Sequence, residues 1–383
     1  MNNLKAAVIG VGFVGRAHLE SLRRRGIPVQ GILGSSLERT QKACRNLNVA
    51  HAYKSLDDLL EDKTVDVVHI CTPNNVHFEQ AKAAMEAGKH VVCEKPLSMD
   101  TNESSKLVEL AQKHQRIGAV AYNLRYYPLC QEAHALVQSG KIGEPRLVHG
   151  SFLQDWLLFP SDWNWRLEPQ FSGPLRVVAD IGTHWLDLIT WITNRKVTEL
   201  CADLGTVLPV RQKPQGRVET FQKRSGTAYD EVKIDTDDYA SILLHLEKSV
   251  HGVVTVSQVS AGRKARLWFE IDGSEASLSW NSEAPNTLWI GKRGEPNKEI
   301  PKDPSQMSPS TRGYAEYPAG HAEGYPDTFA QLFKDVYRYI SEGNFKAPRT
   351  FPTFETGHEE MLLCDAIAQS SKERRWVVMA KQK

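Results

Sequence analysis

A short apolar run that leads into a glycine-rich turn is the feature that most constrains the fold of this chain. The run is Lys5–Ile9, the turn is Gly10-Val11-Gly12-Phe13-Val14-Gly15, and a helical pattern then continues to Arg25. More strand-like runs alternate with helical stretches further along: Val29–Leu33, Val65–Ile70, His90–Cys93 and Gly118–Tyr122. Alternation of strand and helix over about 120 residues predicts a doubly wound parallel sheet, which is an α/β fold.

The glycine turn predicts a dinucleotide site. Gly10 permits the tight turn, Gly12 lets a pyrophosphate approach the main chain, and Gly15 lets the helix pack against the strand. The phosphates would lie at the positive end of the helix, beside Phe13 and Val14. A merely structural turn is the alternative. Three glycines with this spacing, between a strand and a helix, are nevertheless typical of Rossmann domains that bind NAD or NADP.

The residues after the second strand normally distinguish NAD from NADP. An acidic side chain there binds the ribose 2′-hydroxyl of NAD, and a nearby arginine accommodates the 2′-phosphate of NADP. Here Ser35, Ser36 and Arg39 follow that strand, and the usual position is not acidic. The serines could bond either group, and Arg39 is equally compatible with a solvated helix residue. Both cofactors stay open, with a slight preference for NAD.

Two more segments follow predicted strands of the same sheet. Thr72-Pro73-Asn74 and His77 come after the third long strand, and Glu94-Lys95-Pro96 comes after the next one. The carboxyl ends of parallel strands share the edge at which such sheets bind ligands. Lys95 is therefore expected at that edge, although this stretch taken alone favours an ordinary solvated lysine.

These segments and the glycine turn, together with Asp180 and a histidine four residues later, resemble the Gfo/Idh/MocA oxidoreductases. The resemblance covers essentially the whole chain. It implies that Glu94-Lys95-Pro96 contacts the nicotinamide half of the cofactor and that Lys95 is catalytic. It also implies that Thr72-Pro73-Asn74 and His77 line the cofactor cleft. Asn123, where the first domain is expected to end, is added to the cofactor-binding candidates.

A chain of 383 residues exceeds one typical core, so we predict two domains, 1–123 and 124–383. Strand-like runs dominate the second domain and predict an α+β unit with a large, mainly antiparallel open sheet. The last helix is expected to pack back on the first domain. Two polar stretches, Lys213–Tyr229 and Lys292–Gly313, are predicted to be surface loops. The resemblance implies a homodimer or homotetramer, formed through the open face of the sheet.

The second domain carries a candidate proton acceptor. Glycine and threonine precede His184 and are expected to open a helix, with Asp180 just upstream. Histidine can accept the proton of a substrate hydroxyl as hydride leaves the carbon, while Lys95 stabilises charge on the oxygen and Asp180 orients the substrate. Taken alone, His184 is more typical of a core or surface histidine. A metal site formed by His184 with Asp180 and Asp187 is another interpretation, but hydride transfer to nicotinamide needs no metal.

An aromatic and polar run lies between Gln154 and Arg166 and indicates the substrate. Rings such as Trp163 and Trp165, interleaved with hydrogen-bonding side chains, suit a carbohydrate, whose C–H faces pack on rings. Tryptophans that fill the core are the alternative. Arg125 and Arg166 could each bind an anion, and His321, in a glycine-bounded loop, could touch the substrate or be structural. Without a concentrated basic cluster, we expect a neutral carbohydrate or polyol.

Composition excludes several other classes of partner. Lys and Arg total 47, Asp and Glu total 46, and the formal net charge of +1 gives no reason to expect nucleic acid. No run reaches the ~20 apolar residues of a membrane helix. A strand begins within a few residues of Met1, which leaves no room for a signal peptide, and the six cysteines are scattered. These features predict a cytoplasmic protein.

The function expected from the sequence is an NAD(P)-dependent dehydrogenase that interconverts a secondary alcohol and a ketone on a sugar, glycoside or inositol. An NAD-dependent glycoside hydrolase that uses transient oxidation is one alternative. A non-catalytic sugar or nucleotide sensor on the same fold is another, although a sensor has no need of Lys95, Asp180 and His184.

Overall fold

The computed structural model describes residues 4–215 and 228–380. The chain forms two compact units. Unit 1 comprises Met1–Asn123, Gln170–Gly173 and Pro326–Met361, and unit 2 comprises Leu124–Pro169, Pro174–Tyr325 and Leu362–Lys383. The division into two contiguous domains, 1–123 and 124–383, stays a prediction. No helix in the described residues is long and apolar enough to cross a bilayer.

Unit 1 is built on a six-stranded parallel sheet. The strands are β1 Ala6–Ile9, β2 Val29–Leu33, β3 His51–Ala52, β4 Val67–Ile70, β5 His90–Cys93 and β6 Gly118–Val120. Their order is β3-β2-β1-β4-β5-β6. The helices between them are α1 Phe13–Arg24, α2 Leu37–Leu47, α3 Leu56–Glu61, α4 His77–Glu86 and α5 Thr101–Lys113. The predicted doubly wound sheet is confirmed, and β3 is an addition to it.

Continuous burial explains the short apolar strands of this sheet. Every residue of β1, β4 and β5 is buried, as expected for parallel strands covered by helices on both faces. The strand order reverses between β1 and β4, and such a switch point is where open α/β sheets bind ligands. The glycine turn follows β1 directly, so the sequence puts it at that point.

The remaining elements begin with the helices α6 Pro128–Gln138, α7 Pro169–Ser172, α8 Thr183–Thr193, α9 Tyr325–Glu342 and α10 Phe354–Glu373. The strands are β7 Pro145–Leu153, β8 Val197–Gly205, β9 Val210–Pro214, β10 Tyr229–Lys233, β11 Tyr239–Leu246, β12 Val250–Ser257, β13 Arg266–Gly273, β14 Ser277–Asn281, β15 Thr287–Gly291, β16 Lys298–Pro301 and β17 Val377–Val378. Within unit 1, the first turns of α10 contact the parallel sheet and α5: Phe354 packs over Gly118 of β6, and His358 Nδ1 lies 2.8 Å from Ser104 Oγ on α5.

Unit 2 is built on a nine-stranded sheet with the order β16-β15-β14-β13-β7-β12-β11-β8-β17. Only β7 and β12 pair in parallel; the other neighbours are antiparallel. The predicted α+β unit with a mainly antiparallel sheet is confirmed. Helices α6 and α8 pack together, and Trp185 of α8 donates its indole N–H to Trp268 O of β13 at 3.0 Å. This bond fixes the start of α8 on the sheet.

One predicted loop is wrong, and the other lies partly beyond the described residues. Lys292–Gly313 contains strand β16 and the beginning of a short 3₁₀ helix, Arg312–Tyr314. Three of the four β16 side chains are exposed, so this edge strand lacks the apolar alternation that would reveal it. In Lys213–Tyr229, the ends belong to the antiparallel pair β9 and β10, and residues 216–227 lie outside the described part of the chain.

Candidate functional site

In the glycine turn of unit 1, neighbouring main-chain atoms leave no room for a side chain at Gly10 and Gly15, whereas they leave room at Gly12. Gly10 has φ +101°, and a Cβ there would overlap the carbonyl oxygen of Cys71. A Cβ on Gly15 would overlap the carbonyl oxygen of Gly10. At Gly12, by contrast, no atom of the described residues lies within 4 Å of the position that a Cβ would occupy. The space above Gly12 is therefore open to a ligand, as a close-lying pyrophosphate requires.

Helix α1 begins immediately after this open position. Phe13 is 48% exposed and Val14 is half-buried. Both lie in the first turn of a 12-residue helix, where main-chain N–H groups have no partner within the helix and favour an anion. The predicted cofactor-binding role of Phe13 and Val14 stays a prediction, and their placement is compatible with it.

The end of β2 carries the residues predicted to meet the adenosine ribose. Ser35 is exposed, and Arg39 is half-buried in the first turn of α2. Ser36 is the N-cap of α2, because its Oγ accepts a hydrogen bond from the Arg39 main-chain N–H at 3.3 Å. Ser36 therefore has a structural role that was not expected from the sequence, while Ser35 is exposed.

His77 joins the two loops that follow β4 and β5. Its ring is fully buried, with Nδ1 2.9 Å from Pro96 O and Nε2 2.9 Å from Thr72 O. Burial lowers the pKa of His77, although the two carbonyl groups and Glu94 oppose that effect. Asn74 is buried and donates its side-chain amide to Ser172 O at 3.0 Å. These side chains bind the protein itself, and their contact with a cofactor stays a prediction.

The Glu94 turn, Glu94-Lys95-Pro96, lies at the end of β5. Lys95 is half-buried and is followed by a cis peptide bond to Pro96. Glu94 is only 8% exposed, and its Oε1 lies 3.0 Å from His18 Nε2. Asn123 is buried and donates its amide to Thr328 Oγ1 at 2.6 Å. Within unit 1 the structure thus places the glycine turn, the Thr72 loop and the Glu94 turn after neighbouring strands β1, β4 and β5.

Asp180 lies in a π-helical turn, Val178–Gly182, that leads into α8. Arg166 donates its Nε hydrogen to Asp180 Oδ1 at 3.0 Å, and Gln258 donates its amide to Oδ2 at 2.8 Å. A guanidinium and an amide donor stabilise an ionised carboxylate and fix its direction. The structure shows that Arg166 holds Asp180, and the predicted contact of Arg166 with a substrate stays a prediction.

A buried ionic network anchors the segment just before Asp180. Arg176 is 1% exposed and forms an ion pair with Asp238, which also accepts from Arg211 at 2.7 Å. Asp237 accepts the main-chain N–H groups of Arg176 at 2.6 Å and Val178 at 2.9 Å. Burial raises the pKa of Asp237. For Asp238 burial acts in the same direction, but Arg176, the Leu208 N–H and Arg211 outweigh it and lower its pKa.

His184 is the second residue of α8, in the first turn, as predicted. Its side chain is 8% exposed, and its ring centroid lies 6.2 Å from that of Phe152 on β7. Since α8 continues directly from the π-helical turn, Asp180 and His184 are presented by one continuous helical segment. The structure brings these two candidates together within unit 2.

Two further substrate candidates of unit 2, Trp163 and Trp165, pack against neighbouring side chains. The Arg166 guanidinium lies 4.5 Å from the Trp165 ring centroid. Trp163 packs against a small cluster of Leu157, Leu167 and Ile234, which favours the core-packing interpretation for this ring.

Arg125 and His321 differ strongly in their surroundings. Arg125 is buried and makes a bidentate ion pair with Asp187, with Nε 2.8 Å from Oδ2 and Nη2 bonded to Oδ1. His321 is exposed, in a loop fixed by a buried ion pair between Lys302 and Glu323 at 2.6 Å. Substrate contact by either residue stays a prediction.

Sequence reasoning missed several residues that hold the candidate site. Gln258, Arg176, Asp237 and Asp238 hold the Asp180 segment, and His18 holds Glu94. Gln258 is 78 residues from Asp180, so no local spacing connects them. The acidic pair Asp237-Asp238 just before β11 was the one feature of the sequence that could have indicated this network, but such a pair is equally typical of a solvated turn.

One possible metal cluster occurs in residues 4–215 and 228–380. It consists of His149, Glu270 and Asp272, whose ligand atoms lie within 4.8 Å of one another. All three are half-exposed on neighbouring strands β7 and β13, and none belongs to the predicted site. The proposed metal-free chemistry stays a prediction.

Comparison with known families identifies both parts of the chain. A family model described as "Oxidoreductase family, NAD-binding Rossmann fold" matches residues 4–122. A model described as "GFO/IDH/MocA C-terminal domain" matches residues 130–279. The chain belongs to the Gfo/Idh/MocA oxidoreductase family. The resemblance seen in the sequence motifs is confirmed, and the first region is an NAD-binding Rossmann domain.

Relatives within the Gfo/Idh/MocA family include sugar and inositol dehydrogenases. Levoglucosan dehydrogenase of Pseudarthrobacter phenanthrenivorans is 28% identical over 394 residues, covering 98% of each chain. A solved structure of levoglucosan dehydrogenase in complex with NADH and L-sorbose has a TM-score of 0.89 and 27% identity, covering 100% of both chains. An inositol dehydrogenase homologue from Azotobacter vinelandii complexed with NAD⁺ has a TM-score of 0.85 and 26% identity, covering 98% of this chain and 97% of the other.

Proposed function

We propose that this oxidoreductase is a dehydrogenase that oxidises a secondary alcohol of a neutral sugar, glycoside or inositol to the ketone, and catalyses the reverse reduction. The observation that carries the proposal is the similarity to levoglucosan dehydrogenase along 98% of both chains. The presence of Lys95, Asp180 and His184, at the spacing typical of a catalytic family member, supports it.

The residues of the cofactor site fit a dinucleotide. Gly12 leaves open the space that a side chain would fill, and the first turn of α1 offers N–H donors to a pyrophosphate. The nicotinamide, when bound, supplies the hydride acceptor. Gly10, Gly12 and Gly15 would hold the pyrophosphate, and the Glu94 turn would hold the nicotinamide half.

Protein groups then handle the proton and the charge on oxygen. In the direction of oxidation, His184 takes the hydroxyl proton as the C–H bond breaks and the C=O bond forms. Lys95 donates a hydrogen bond to the reacting oxygen and stabilises negative charge on it. Asp180, held by Arg166 and Gln258, accepts a hydrogen bond from a substrate hydroxyl and orients the ring.

We infer that NAD is the preferred cofactor. The solved relatives are complexes with NADH and with NAD⁺, which supports this choice. The usual position after β2 is not acidic, which argues for tolerance of NADP as well, since Ser35 and Arg39 lack the negative charge that repels a 2′-phosphate.

A neutral substrate is favoured because Arg125 and Arg166, the two arginines predicted to bind an anion, already form ion pairs within unit 2. Arg166 is bonded to Asp180, and Arg125 to Asp187. Trp165, packed against the Arg166 guanidinium, is the aromatic ring that remains best suited to a sugar C–H face. We further infer a cytoplasmic homo-oligomer formed through the open sheet face, which light scattering after size exclusion would test.

The decisive screen is NADH or NADPH formation from a panel containing levoglucosan, aldoses, inositols and alkyl glycosides, with Lys95→Met as the matched control. We expect reduction of NAD⁺ by at least one carbohydrate, at a rate about a hundredfold or more lower with the variant. Equal rates for both proteins, or release of an aglycone without net NADH, would contradict the proposal. The glycoside hydrolase and sensor alternatives receive no support from relatives named as dehydrogenases.

A further inference from the structure

A buried chain of four side chains runs away from the Glu94 turn inside unit 1. Glu94 Oε1 lies 3.0 Å from His18 Nε2, His18 Nδ1 lies 3.0 Å from His69 Nδ1, and His69 Nε2 lies 2.9 Å from the Tyr337 hydroxyl. His18, His69 and Tyr337 are fully buried, and Glu94 is 8% exposed. The three elements α1, β4 and α9 thus supply a continuous connection to the end of β5.

The two ends of the chain determine the direction of every hydrogen bond in it. The buried Tyr337 hydroxyl has one partner among the described residues, His69 Nε2, and its hydrogen needs an acceptor. Tyr337 therefore donates, and His69 must carry its proton on Nδ1. His69 then donates to His18 Nδ1, so His18 carries its proton on Nε2 and donates it to the Glu94 carboxylate.

The surroundings agree with this assignment. Burial, with a smaller contribution from His18, holds the pKa of His69 well below its usual range, so that ring is neutral. Burial also raises the pKa of Tyr337, with Asp66 adding to the effect, so the phenol keeps its proton. Phe329 and Phe333 pack against the His18 ring, with centroids 5.0 and 4.8 Å away, and this ring is fully buried.

We propose that Tyr337, His69 and His18 form a one-directional hydrogen-bond chain that fixes the Glu94 carboxylate, which makes His18 a positioning residue for the Glu94 turn. The inference rests on the proposed function, because the Glu94 turn matters to catalysis only if it holds the nicotinamide half of the cofactor. A fixed carboxylate immediately before Lys95 restrains the main chain from which that lysine projects. The ionisable groups Cys71, Cys93, His77 and Lys95 surround this end of the chain.

Long-range ¹⁵N NMR of the histidine rings tests the direction without any substrate or cofactor. His18 is expected to carry its ring proton on Nε2 and His69 on Nδ1, assigned with His18→Gln and His69→Asn. A proton on His18 Nδ1 or on His69 Nε2 would overturn the chain. Because this measurement needs neither NADH nor turnover, it fails or succeeds independently of the proposed function.

NADH binding in two tyrosine variants tests the positioning role. Tyr337→Phe removes the donor at one end of the chain, and Tyr339→Phe, on the same helix, removes a buried hydroxyl that donates to Ala347 O at 2.8 Å instead. Tyr337→Phe leaves both tautomers in place, because the Glu94 carboxylate still requires the His18 Nε2 proton, but it removes the hydrogen bond to His69 Nε2. It should shift the ¹⁵N resonance of His69 Nε2 and raise the NADH Kd by about three- to tenfold, whereas Tyr339→Phe should change neither. Identical His69 Nε2 shifts and NADH Kd values in the two variants would refute the proposal.

Two substitutions at His18 distinguish a positioning role of its Nε2–H donor from a role in packing alone. The Gln amide can replace the Nε2–H donor to Glu94, whereas Leu fills similar space without a donor. We expect the NADH Kd to rise about tenfold or more in His18→Leu and to stay within about threefold of wild type in His18→Gln. Equal Kd values for the two variants would mean that His18 only packs. Wild-type protein that shows the predicted tautomers yet fails to bind NADH would contradict the proposed function and leave the chain intact.

Discussion

Arg166 donates its Nε hydrogen to Asp180 Oδ1 at 3.0 Å, which joins a residue predicted to bind substrate to one predicted to be catalytic. Gln258 donates to the other carboxylate oxygen at 2.8 Å. A carboxylate with a donor on each oxygen is poorly suited to take up a proton and well suited to orient a hydroxyl group. This arrangement favours His184 as the proton acceptor and Asp180 as the orienting group.

Replacing Arg166 should therefore impair catalysis without affecting the cofactor. We expect Arg166→Gln to lower kcat/KM by about tenfold or more, because a charge-assisted hydrogen bond to Asp180 is lost. The NADH Kd should stay within about twofold, since Arg166 is not among the residues assigned to the cofactor. Arg263→Gln, which removes an exposed ion pair to Glu283, is the matched control. Steady-state kinetics with equal kcat/KM for both variants would contradict the role given to Arg166.

The glycine turn offers a pair of substitutions with opposite outcomes. A Cβ at Gly12 meets no described atom within 4 Å, whereas one at Gly15 overlaps the Gly10 carbonyl oxygen. Gly12→Ala should keep the melting temperature of wild type and lose NADH affinity, because the methyl group occupies the pyrophosphate position. Gly15→Ala should lower the melting temperature itself. Thermal unfolding and NADH titration check both, and full NADH affinity in Gly12→Ala would contradict the assigned site.

Cofactor choice should respond to the exposed residue after β2. Ser35→Asp supplies the missing acidic group, which can bond the ribose 2′-hydroxyl and repels a 2′-phosphate. We expect the NADPH Kd to rise about tenfold or more while the NADH Kd is unchanged or lower. Ser35→Asn, of the same size without the charge, is the control. Fluorescence titrations in which Ser35→Asp and Ser35→Asn behave alike would show that Ser35 does not face the ribose.

Acid should destabilise unit 1 through His90. Burial, aided by Arg116, lowers the pKa of His90 from 6.5 to about 4, and its Nδ1 accepts the Ile117 N–H at 2.9 Å. The pKa of His90 is lower in the folded than in the unfolded protein, so the contribution of His90 to the free energy of unfolding is complete above about pH 6.5 and is lost as pH falls toward 4. The free energy of unfolding should therefore fall by about 2 kcal/mol between pH 7 and pH 5.

The matched variant for that prediction is His90→Asn, whose side-chain oxygen can accept from Ile117 without titrating. Urea unfolding at both pH values should show a smaller loss of stability in His90→Asn than in the wild type. The His114→Asn variant, altered at the end of α5, should lose as much as the wild type. An equal loss of unfolding free energy in His90→Asn and in the wild type would show that His90 does not cause the acid sensitivity.

The parts of the fold that the sequence predicted are those with a local pattern. Strands β1, β4 and β5 are runs of consecutive apolar residues because both faces are buried. Edge strands escaped detection: β16 is mostly exposed, and β17 has two residues, Val377–Val378. Their pairing depends on the neighbouring strand rather than on their own composition.

In the candidate site, too, the residues with a local sequence pattern were the ones that could be predicted. Lys95, Asp180 and His184 could be predicted as candidates because each belongs to a short motif at the end of a strand or the start of a helix. The residues that hold them could not be found in this way. His69 and Tyr337 are 268 residues apart in the sequence, and Arg176 and Asp238 are 62 apart. Only the folded chain brings such partners together.

We propose that Lys95 and His184 act on the reacting oxygen during hydride transfer, Lys95 by stabilising its charge and His184 by accepting its proton. The most direct measurement is kcat of Lys95→Met and His184→Asn on a carbohydrate that the wild type oxidises, with NADH affinity measured on the same samples. We predict that kcat falls by about a hundredfold or more in each variant while the NADH Kd stays within about threefold of wild type. Turnover at the wild-type rate in both variants would contradict the claim.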